Sequence, residues 1–288
     1  MTNINVKNLS FSYGMKPVLT IPQVEFEQGK VYGIVGKNGV GKTTFFKTLT
    51  NIITKYTGII EIDGVNVRNN PEILSKVGIV LDDMELYKGR TGLFNLRYFG
   101  GLRGGFDTEK AQTLAKEIGI LDNLREKVGN YSLGMNKKLI LLISLMNDAD
   151  ILIFDEPFRG LDVETVAWFR NYLLKLKDQG KMILISSHVQ EDIESLADEV
   201  FVLSKGDFDN KFDLKELGQT YIYRVEVSDS EKFISLLKEK DIASTVEGEK
   251  IKFDAAEEVY RQLFQEAVAQ GIEFDQIKKE NKFAELVK

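Results

Sequence analysis

The fold is decided by one segment, residues 36–43, which reads Gly36-Lys37-Asn38-Gly39-Val40-Gly41-Lys42-Thr43. It matches G-x-x-x-x-G-K-[ST] at every fixed position, the pattern of a loop that binds phosphate groups. The apolar run 31–35 before it is typical of a buried strand, and residues 43–49 after it are typical of a helix. This strand and helix favour a nucleotide-binding loop over a glycine-rich turn without a ligand.

Such a loop offers several kinds of contact to a nucleotide. Its glycines let successive backbone N–H groups turn toward an anion, and the following helix adds the positive end of its dipole. In this pattern the lysine reaches the β- and γ-phosphates, and the hydroxyl that follows it holds Mg²⁺. The predicted nucleotide contacts are Gly36, Asn38, Gly39, Gly41, Lys42, Thr43 and Thr44, with Thr43 also a metal ligand.

A second segment supplies the acids that this chemistry requires. Residues 151–154 are four consecutive apolar residues, a pattern typical of a strand covered on both faces. Asp155 then stands at the carboxyl end of that strand, where open α/β sheets bind ligands, and is predicted to join the Mg²⁺ shell. Glu156 is the candidate general base for the attacking water.

Three further motifs follow in a characteristic order. Tyr131-Ser132-Leu133-Gly134-Met135 precedes an apolar helix, Gly160-Leu161-Asp162 follows the acidic pair, and Ser186-Ser187-His188 ends the next apolar strand. With the phosphate loop, this order and spacing resemble the ABC ATPases. The resemblance implies ATP and Mg²⁺ as cofactors, a signature at Ser132 and Gly134, a D-loop at Asp162, and a catalytic γ-phosphate contact at His188. Leu133 and Met135 depart from the usual signature residues.

The resemblance also implies two less regular sites. Leu9-Ser10-Phe11-Ser12-Tyr13-Gly14 is similar to the family's aromatic loop, and Tyr13 is the candidate to stack on adenine. Since residues 9, 11 and 13 share a face of a regular strand, packing in the core is the alternative, and it suits Phe11 better. Asp82 stands where the family has a glutamine; it is predicted to bind Mg²⁺ or orient water, at the expense of a negative charge beside the triphosphate.

Composition limits the other classes of function. The chain has 288 residues, 38 Lys and Arg against 44 Asp and Glu, and no cysteine. This acidic balance argues against nucleic acid as a partner, and the absence of cysteine excludes a disulfide scaffold. The polar start at Thr2, Asn3 and Asn5 does not resemble a signal peptide, and the apolar run 139–146 is far below the ~20 residues that a membrane span needs.

The pattern of elements predicts an α/β P-loop domain followed by a smaller α+β domain. Residues 1–215 hold every nucleotide motif, and a helical subdomain is expected at about 84–148. Within it, 91–102 and 108–118 are predicted helices, with Gly100-Gly101 and Gly104-Gly105-Phe106-Asp107 as breakers. In the family this subdomain docks on the membrane partner. The apolar residues Phe94, Leu96, Tyr98, Phe99 and Leu102 form either an exposed patch for that contact or internal packing.

Residues 219–288 have a different pattern of apolar residues from residues 1–215. Alternating and helical apolar patterns predict the order β-α-β-β-α-β, the arrangement of ferredoxin-like domains. Some such domains bind RNA, but this segment holds more acidic than basic side chains, which argues against that role. Regulation or support of a dimer is the predicted function.

We interpret the chain as the ATP-hydrolysing subunit of a bacterial ABC exporter of the ABC-2, drug and peptide branch. The resemblance implies a separate membrane permease, a homodimer or heterodimer that sandwiches two ATP molecules, and a cytoplasmic location at the membrane's inner face. A non-transport or regulatory ABC ATPase is the alternative. A GTPase is disfavoured because Asn136-Lys137-Lys138-Leu139 lacks the aspartate of the N-K-x-D motif.

Overall fold

The computed structural model describes residues 2–102, 106–214 and 220–281. Contacts divide the chain between Lys211 and Phe212 into two units, and each unit has its own apolar core. The division predicted from sequence, 1–215 and 219–288, stays a prediction. Of the predicted breakers, Gly100 and Gly101 are the last residues of the helix Gly92–Gly101, and Asp107 caps the helix Thr108–Glu117. Gly104 and Gly105 lie outside the described residues.

The first unit combines an antiparallel sheet, a mostly parallel sheet and helices. Its strands are β1 (Asn3–Tyr13), β2 (Lys16–Glu27), β3 (Val31–Val35), β4 (Thr57–Ile62), β5 (Val65–Asn66), β6 (Val77–Val80), β7 (Ile151–Asp155), β8 (Met182–Ser186), β9 (Glu199–Ser204) and β10 (Asp207–Asp213). Its helices are α1 (Lys42–Leu49), α2 (Gly92–Gly101), α3 (Thr108–Glu117), α4 (Leu133–Met146), α5 (Val163–Asp178) and α6 (Gln190–Glu194), with 3₁₀ turns at Pro71–Lys76, Asp122–Arg125 and Val128–Asn130. This architecture confirms the predicted α/β class.

The central sheet has the strand order β10-β9-β3-β8-β7-β6. Strands β9, β3, β8, β7 and β6 pair in parallel, so their carboxyl ends meet at one edge. Every residue of β3, β7 and β8 is buried, as expected for strands covered on both faces. The phosphate loop, the acidic pair and His188 all follow these strands, so the sheet places them at the same edge.

The second sheet, β2-β1-β4-β5, pairs antiparallel. Strand β4 contains a position that only glycine tolerates. Gly58 has φ +92°, and a Cβ there would lie 2.3 Å from the backbone oxygen of Asn8 and 2.7 Å from that of Lys7. Backbone atoms cannot move aside as a flexible side chain does, so the β1 and β4 strands depend on this glycine.

Gly58→Ala is therefore expected to lower the free energy of unfolding by about 3 kcal/mol or more, because backbone strain and overlap add together. Gly64→Ala is the matched control: Gly64 has φ +75° but open space around its Cβ position. The control is expected to cost only about 1 kcal/mol, from strain alone. Urea unfolding of both variants makes the comparison, and equal losses would contradict the overlap.

The first unit differs from the sequence pattern in two places. Helix α4 begins at Leu133, capped by the Ser132 hydroxyl, and is longer than the apolar run 139–146. Strand β1 buries Phe11 but leaves Tyr13 57% exposed, although the two rings are in edge-to-face contact. The alternative of packing in the core therefore holds for Phe11 and not for Tyr13.

The second unit contains β11 (Thr220–Val227), α7 (Ser230–Glu239), β12 (Ser244–Glu247), β13 (Lys250–Ala256), α8 (Glu257–Ala269) and β14 (Phe274–Asn281). Its sheet has the order β12-β13-β11-β14, with antiparallel neighbours throughout. The core is aromatic: Tyr223 stacks on Tyr260 at a centroid distance of 3.9 Å, and Phe233 and Phe253 are fully buried. Assignment of this unit to the ferredoxin-like domains stays a proposal.

Among residues 2–102, 106–214 and 220–281, no helix combines the length and the apolar character needed to cross a membrane.

Candidate functional site

The phosphate loop joins β3 to α1 and is shaped by three glycines. Gly36, Gly39 and Gly41 have φ values of +150°, +77° and +119°. A Cβ at Gly36 would lie 2.4 Å from the backbone oxygen of Leu203, so the loop passes too close to β9 for any side chain. These conformations turn the backbone around a central space at the helix N-terminus, which is the geometry of an anion site.

Lys42 lies folded over this loop. Its ammonium donates to the backbone oxygen of Gly36 at 2.7 Å and approaches that of Lys37 at 3.5 Å. Burial lowers the pKa of Lys42 below its ordinary value, while the carboxylates of Glu156 and Asp155 act in the opposite direction. A buried cation held only by carbonyl oxygens can exchange them for phosphate oxygens, which bind it more strongly.

Asp155 ends β7 and is almost completely buried. Thr43 Oγ1 donates to its Oδ2 and Ser186 Oγ donates to its Oδ1, each at 2.5 Å. Asp155 and Ser186 are direct partners in the parallel pairing of β7 with β8, so the sheet register fixes this contact. The hydroxyl and carboxylate predicted to bind the metal therefore lie side by side.

These oxygens fit Mg²⁺. Mg²⁺ typically takes one or two protein oxygens and completes its shell with water and substrate phosphates, and Thr43 and Asp155 offer such oxygens. Bound there, the ion would supply positive charge to the β- and γ-phosphates, held by Thr43 and Asp155.

Glu156 and His188 form a pair beside Asp155. Glu156 has φ +49°, and its backbone N–H donates to the Ser186 oxygen at 3.1 Å, which fixes an uncommon backbone conformation. Its Oε2 lies 2.7 Å from His188 Nδ1. The Glu156 side chain is mostly covered, whereas that of His188 is 55% exposed. A carboxylate oriented by an imidazole at the rim of a cleft is suited to positioning water for attack on a phosphate.

Most of these groups line one cleft of about 450 Å³, whereas Gly36 and Ser186 are not among its lining residues. Its lining includes the predicted Asn38, Gly39, Gly41, Lys42, Thr43, Thr44, Asp82, Asp155, Glu156 and His188, and one further residue, Arg159. Sequence reasoning missed Arg159, although its position three residues after Glu156 is a usable signal. It also missed the role of Ser186, since only strand register reveals its contact with Asp155.

Asp82 lies in this cleft, but its carboxylate faces cations. Arg159 Nη1 lies 3.0 Å from Oδ2, and Lys137 Nζ lies 3.5 Å from Oδ1. The negative charge expected beside a triphosphate is thus compensated by two side chains from α4 and from the loop after β7. Its predicted role as a metal ligand stays a prediction.

Tyr13 lines a second cavity of about 340 Å³. This cavity shares Gly39 and Thr44 with the cleft, so the two are neighbours around the phosphate loop. The exposed ring of Tyr13 contacts Phe11 edge to face at a centroid distance of 4.8 Å. An exposed aromatic face beside a phosphate site is suited to stack on a base, and this role of Tyr13 stays a prediction.

Ser132, Gly134 and Asp162 are absent from the described residues that line the cleft. Ser132 caps α4 by accepting from Met135 N at 3.2 Å, and Asp162 caps α5 by accepting from Thr165 N at 2.8 Å. The Lys138 ammonium, followed by the contacts with Thr165, holds the pKa of Asp162 well below its usual range. A Cβ on Gly134 would lie 3.0 Å from the Gly160 oxygen, so signature and D-loop are in close contact.

Comparison with known proteins agrees with this site. The family model described as "ABC transporter" matches residues 5–159. The bacitracin transport ATP-binding protein BcrA of Enterococcus faecalis is 33% identical over 74% of this chain and 70% of its own length. The lantibiotic transport ATP-binding protein SrtF of Streptococcus pyogenes is 31% identical over 74% of this chain and 95% of its own.

Solved structures show the same fold. The ATP-binding subunit of an ABC transporter superposes with a TM-score of 0.68, at 24% identity, over 74% of this chain and 91% of that one. A bacterial Atm1-family ABC exporter with ATP bound gives a TM-score of 0.65 at 23% identity, over 75% of this chain and 40% of that one. Because the family model covers more than half of the chain, and BcrA is 33% identical over 74% of it, the chain belongs to the ABC transporter ATP-binding proteins.

Proposed function

We propose that this chain binds and hydrolyses ATP for a bacterial ABC exporter whose membrane path is a separate permease. The observation that carries the proposal is the single cleft in which Lys42, Thr43, Asp155, Glu156 and His188 meet. It combines a phosphate cradle, metal-binding oxygens and an oriented carboxylate, which are the parts required for phosphoryl transfer to water. In this proposal the protein lies in the cytoplasm, at the inner face of the membrane.

In the hydrolysis step that we propose, each residue has one task. The phosphate loop and Lys42 hold the β- and γ-phosphates, and the Asp155 carboxylate fixes the Thr43 hydroxyl. The Glu156 carboxylate accepts a proton from water while His188 holds that carboxylate and donates to the γ-phosphate region. The adenine is placed over Tyr13 at the neighbouring cavity.

The names of the relatives supply the substrate class. BcrA and SrtF are named for bacitracin and lantibiotic transport, so we propose a drug, peptide or lipid-like molecule as the exported substrate. The substrate would be selected in the permease. We further propose that the unit from Phe212 onward regulates turnover or supports a dimer.

The helical subdomain of this chain carries a surface that is suited to contact the permease. The rings of Tyr87, Phe94, Tyr98 and Phe99 form one cluster, in which neighbouring centroids lie 5.1–6.2 Å apart. Phe94 and Tyr98 are exposed, while Leu96 on the same helix is fully buried. Both alternatives for this apolar segment are therefore realised: one face packs inside, and the other remains open as an aromatic patch.

Co-expression with the adjacent permease tests the function and this surface together. The purified complex is expected to hydrolyse Mg-ATP. Addition of the transported substrate to the complex, or of detergent-solubilised permease to the isolated chain, is expected to raise the turnover. Phe94→Ala combined with Tyr98→Ala is expected to weaken co-purification at least tenfold, since buried aromatic side chains dominate interfaces, while basal turnover persists. Lys55→Ala, an exposed change in the loop before β4 and outside the helical subdomain, is the control. Intact co-purification of the double variant would remove the patch from the interface, and absence of ATP turnover in the complex would contradict the function.

A further inference from the structure

Arg159 is the one cleft-lining residue that the known motifs leave without a task. It follows Glu156 on the same turn, with its backbone N–H directed at the Glu156 oxygen at 3.4 Å. Its guanidinium reaches across to Asp82, where Nη1 and Oδ2 are 3.0 Å apart. The two side chains therefore form an ion pair in the lining of the cleft that also contains Glu156 and His188.

The guanidinium has room to leave Asp82. The Arg159 side chain is 64% exposed, and that of Asp82 is 40% exposed. Both residues also line a further cavity of about 230 Å³, distinct from the one at Tyr13, whose lining includes Lys137 and Ile140. Arg159 therefore borders two cavities. An exposed ion pair of this kind is worth little in stability, because water competes for both partners. Exchange of Asp82 for another anion would therefore cost the fold little.

The charges of the cleft indicate which anion Arg159 would bind in place of Asp82. The described lining contains three acids, Asp82, Asp155 and Glu156, against two cations, Lys42 and Arg159. A triphosphate adds further negative charge, and Lys42 is the only one of the two cations that is buried. If Arg159 turned away, Asp82 would keep the nearly buried ammonium of Lys137 at 3.5 Å. The acid is therefore compensated in either arrangement.

We propose that Arg159 is a second phosphate-binding cation, which exchanges the carboxylate of Asp82 for the terminal phosphate of ATP. The planar fork of guanidinium binds phosphate oxygens in pairs, as it binds carboxylate. Asp82 then serves as the resting partner of Arg159 and sets how readily the cation is released. This inference rests on the proposed nucleotide site and adds a determinant that distinguishes ATP from ADP.

Arg159→Ala is expected to weaken ATP binding about 10- to 100-fold, the effect of losing a charged hydrogen bond, and to change ADP binding less than twofold. The probe is Mg-ATP or Mg-ADP titrated against the full chain by calorimetry. Arg159→Lys, which keeps the charge without the fork, is expected to fall between wild type and Arg159→Ala. Arg125→Ala, an exposed arginine in the 3₁₀ turn Asp122–Arg125, is expected to bind both nucleotides as wild type does.

Asp82→Asn completes a double-mutant cycle. Measured with ATP in EDTA, so that metal ligation by Asp82 does not contribute, it is expected to strengthen binding about 3- to 10-fold when Arg159 is present, and to have no effect with Arg159→Ala. Equal losses for ATP and ADP, or no loss, would overturn the proposal, as would an effect of Asp82→Asn that does not depend on Arg159. Thermal midpoints identify any variant that fails to fold. If the wild-type protein binds neither nucleotide, the proposed function is overturned as well. If the wild-type protein binds ATP with the same affinity as Arg159→Ala, only this inference is overturned.

Discussion

Glu156→Gln is expected to retain ATP and to lose turnover by about 10²–10⁴, the contribution of a general base. The amide keeps the shape of the side chain, and the backbone contacts with Ser186 that hold residue 156 at φ +49° do not involve the carboxylate. What is removed is the acceptor for a proton of water. The substitution also leaves His188 without a charged partner, since its Nδ1 lies 2.7 Å from Oε2 of Glu156 in the unsubstituted protein.

Phosphate release by the permease complex measures this effect, and ATP binding to the purified variant shows that the site is intact. The matched control is Glu164→Gln, an exposed glutamate in the first turn of α5, which is expected to keep the wild-type turnover. Turnover of Glu156→Gln equal to that of wild type would remove Glu156 from the role of base. Loss of ATP binding in the variant would instead indicate a positional role in the cleft.

The phosphate loop was predictable because its chemistry is local. Gly36, Gly39 and Gly41 adopt backbone conformations that other residues tolerate poorly, so the sequence pattern and the loop shape are nearly equivalent. Asp155 was predictable for a similar reason: four apolar residues indicate a buried parallel strand, and its carboxyl end faces the ligand edge. In both cases a short segment carries its own geometry.

Contacts between distant segments were not predictable in this way. Ser186 meets Asp155 only through the register of β7 with β8, and that register depends on the packing of the whole sheet. Arg159, Asp82 and Lys137 come from three separate segments, and their charges alone do not identify who pairs with whom. The two-residue alternation also does not reveal that Tyr13 is exposed while Phe11, two residues earlier in β1, is buried.

The second unit lies between these cases. Its apolar alternation predicted the order of strands and helices, since each element carries its own period. The sheet order β12-β13-β11-β14 required the structure, because the strand sequence alone is compatible with several pairings. Its excess of acidic over basic side chains argued against RNA as a partner but did not identify a role.

Ser132→Arg is expected to abolish a dimer that forms with Mg-ATP in the Glu156→Gln protein. Ser132 and Gly134 do not line the cleft of their own chain, and the neighbouring Leu133 side chain is 74% exposed at the start of α4. We propose, from the family resemblance, that these residues meet the γ-phosphate bound to a second copy, so that the nucleotide would hold the two faces together. An arginine side chain at this position fills the space that the second nucleotide needs.

Light scattering on purified Glu156→Gln protein measures the effect: a monomer without nucleotide, a dimer with Mg-ATP, and a monomer with Mg-ATP once Ser132→Arg is added. The substitution also removes the N-cap of α4, which costs about 1 kcal/mol. Thr91→Arg is the matched control, since Thr91 Oγ1 caps α2 through Phe94 N at 3.1 Å but lies outside the signature. It is expected to dimerise normally, which separates cap loss from a blocked interface. A mass that does not respond to ATP in the parent protein, or a dimer that survives Ser132→Arg, would contradict the sandwich, because the signature would then not reach the nucleotide of another copy.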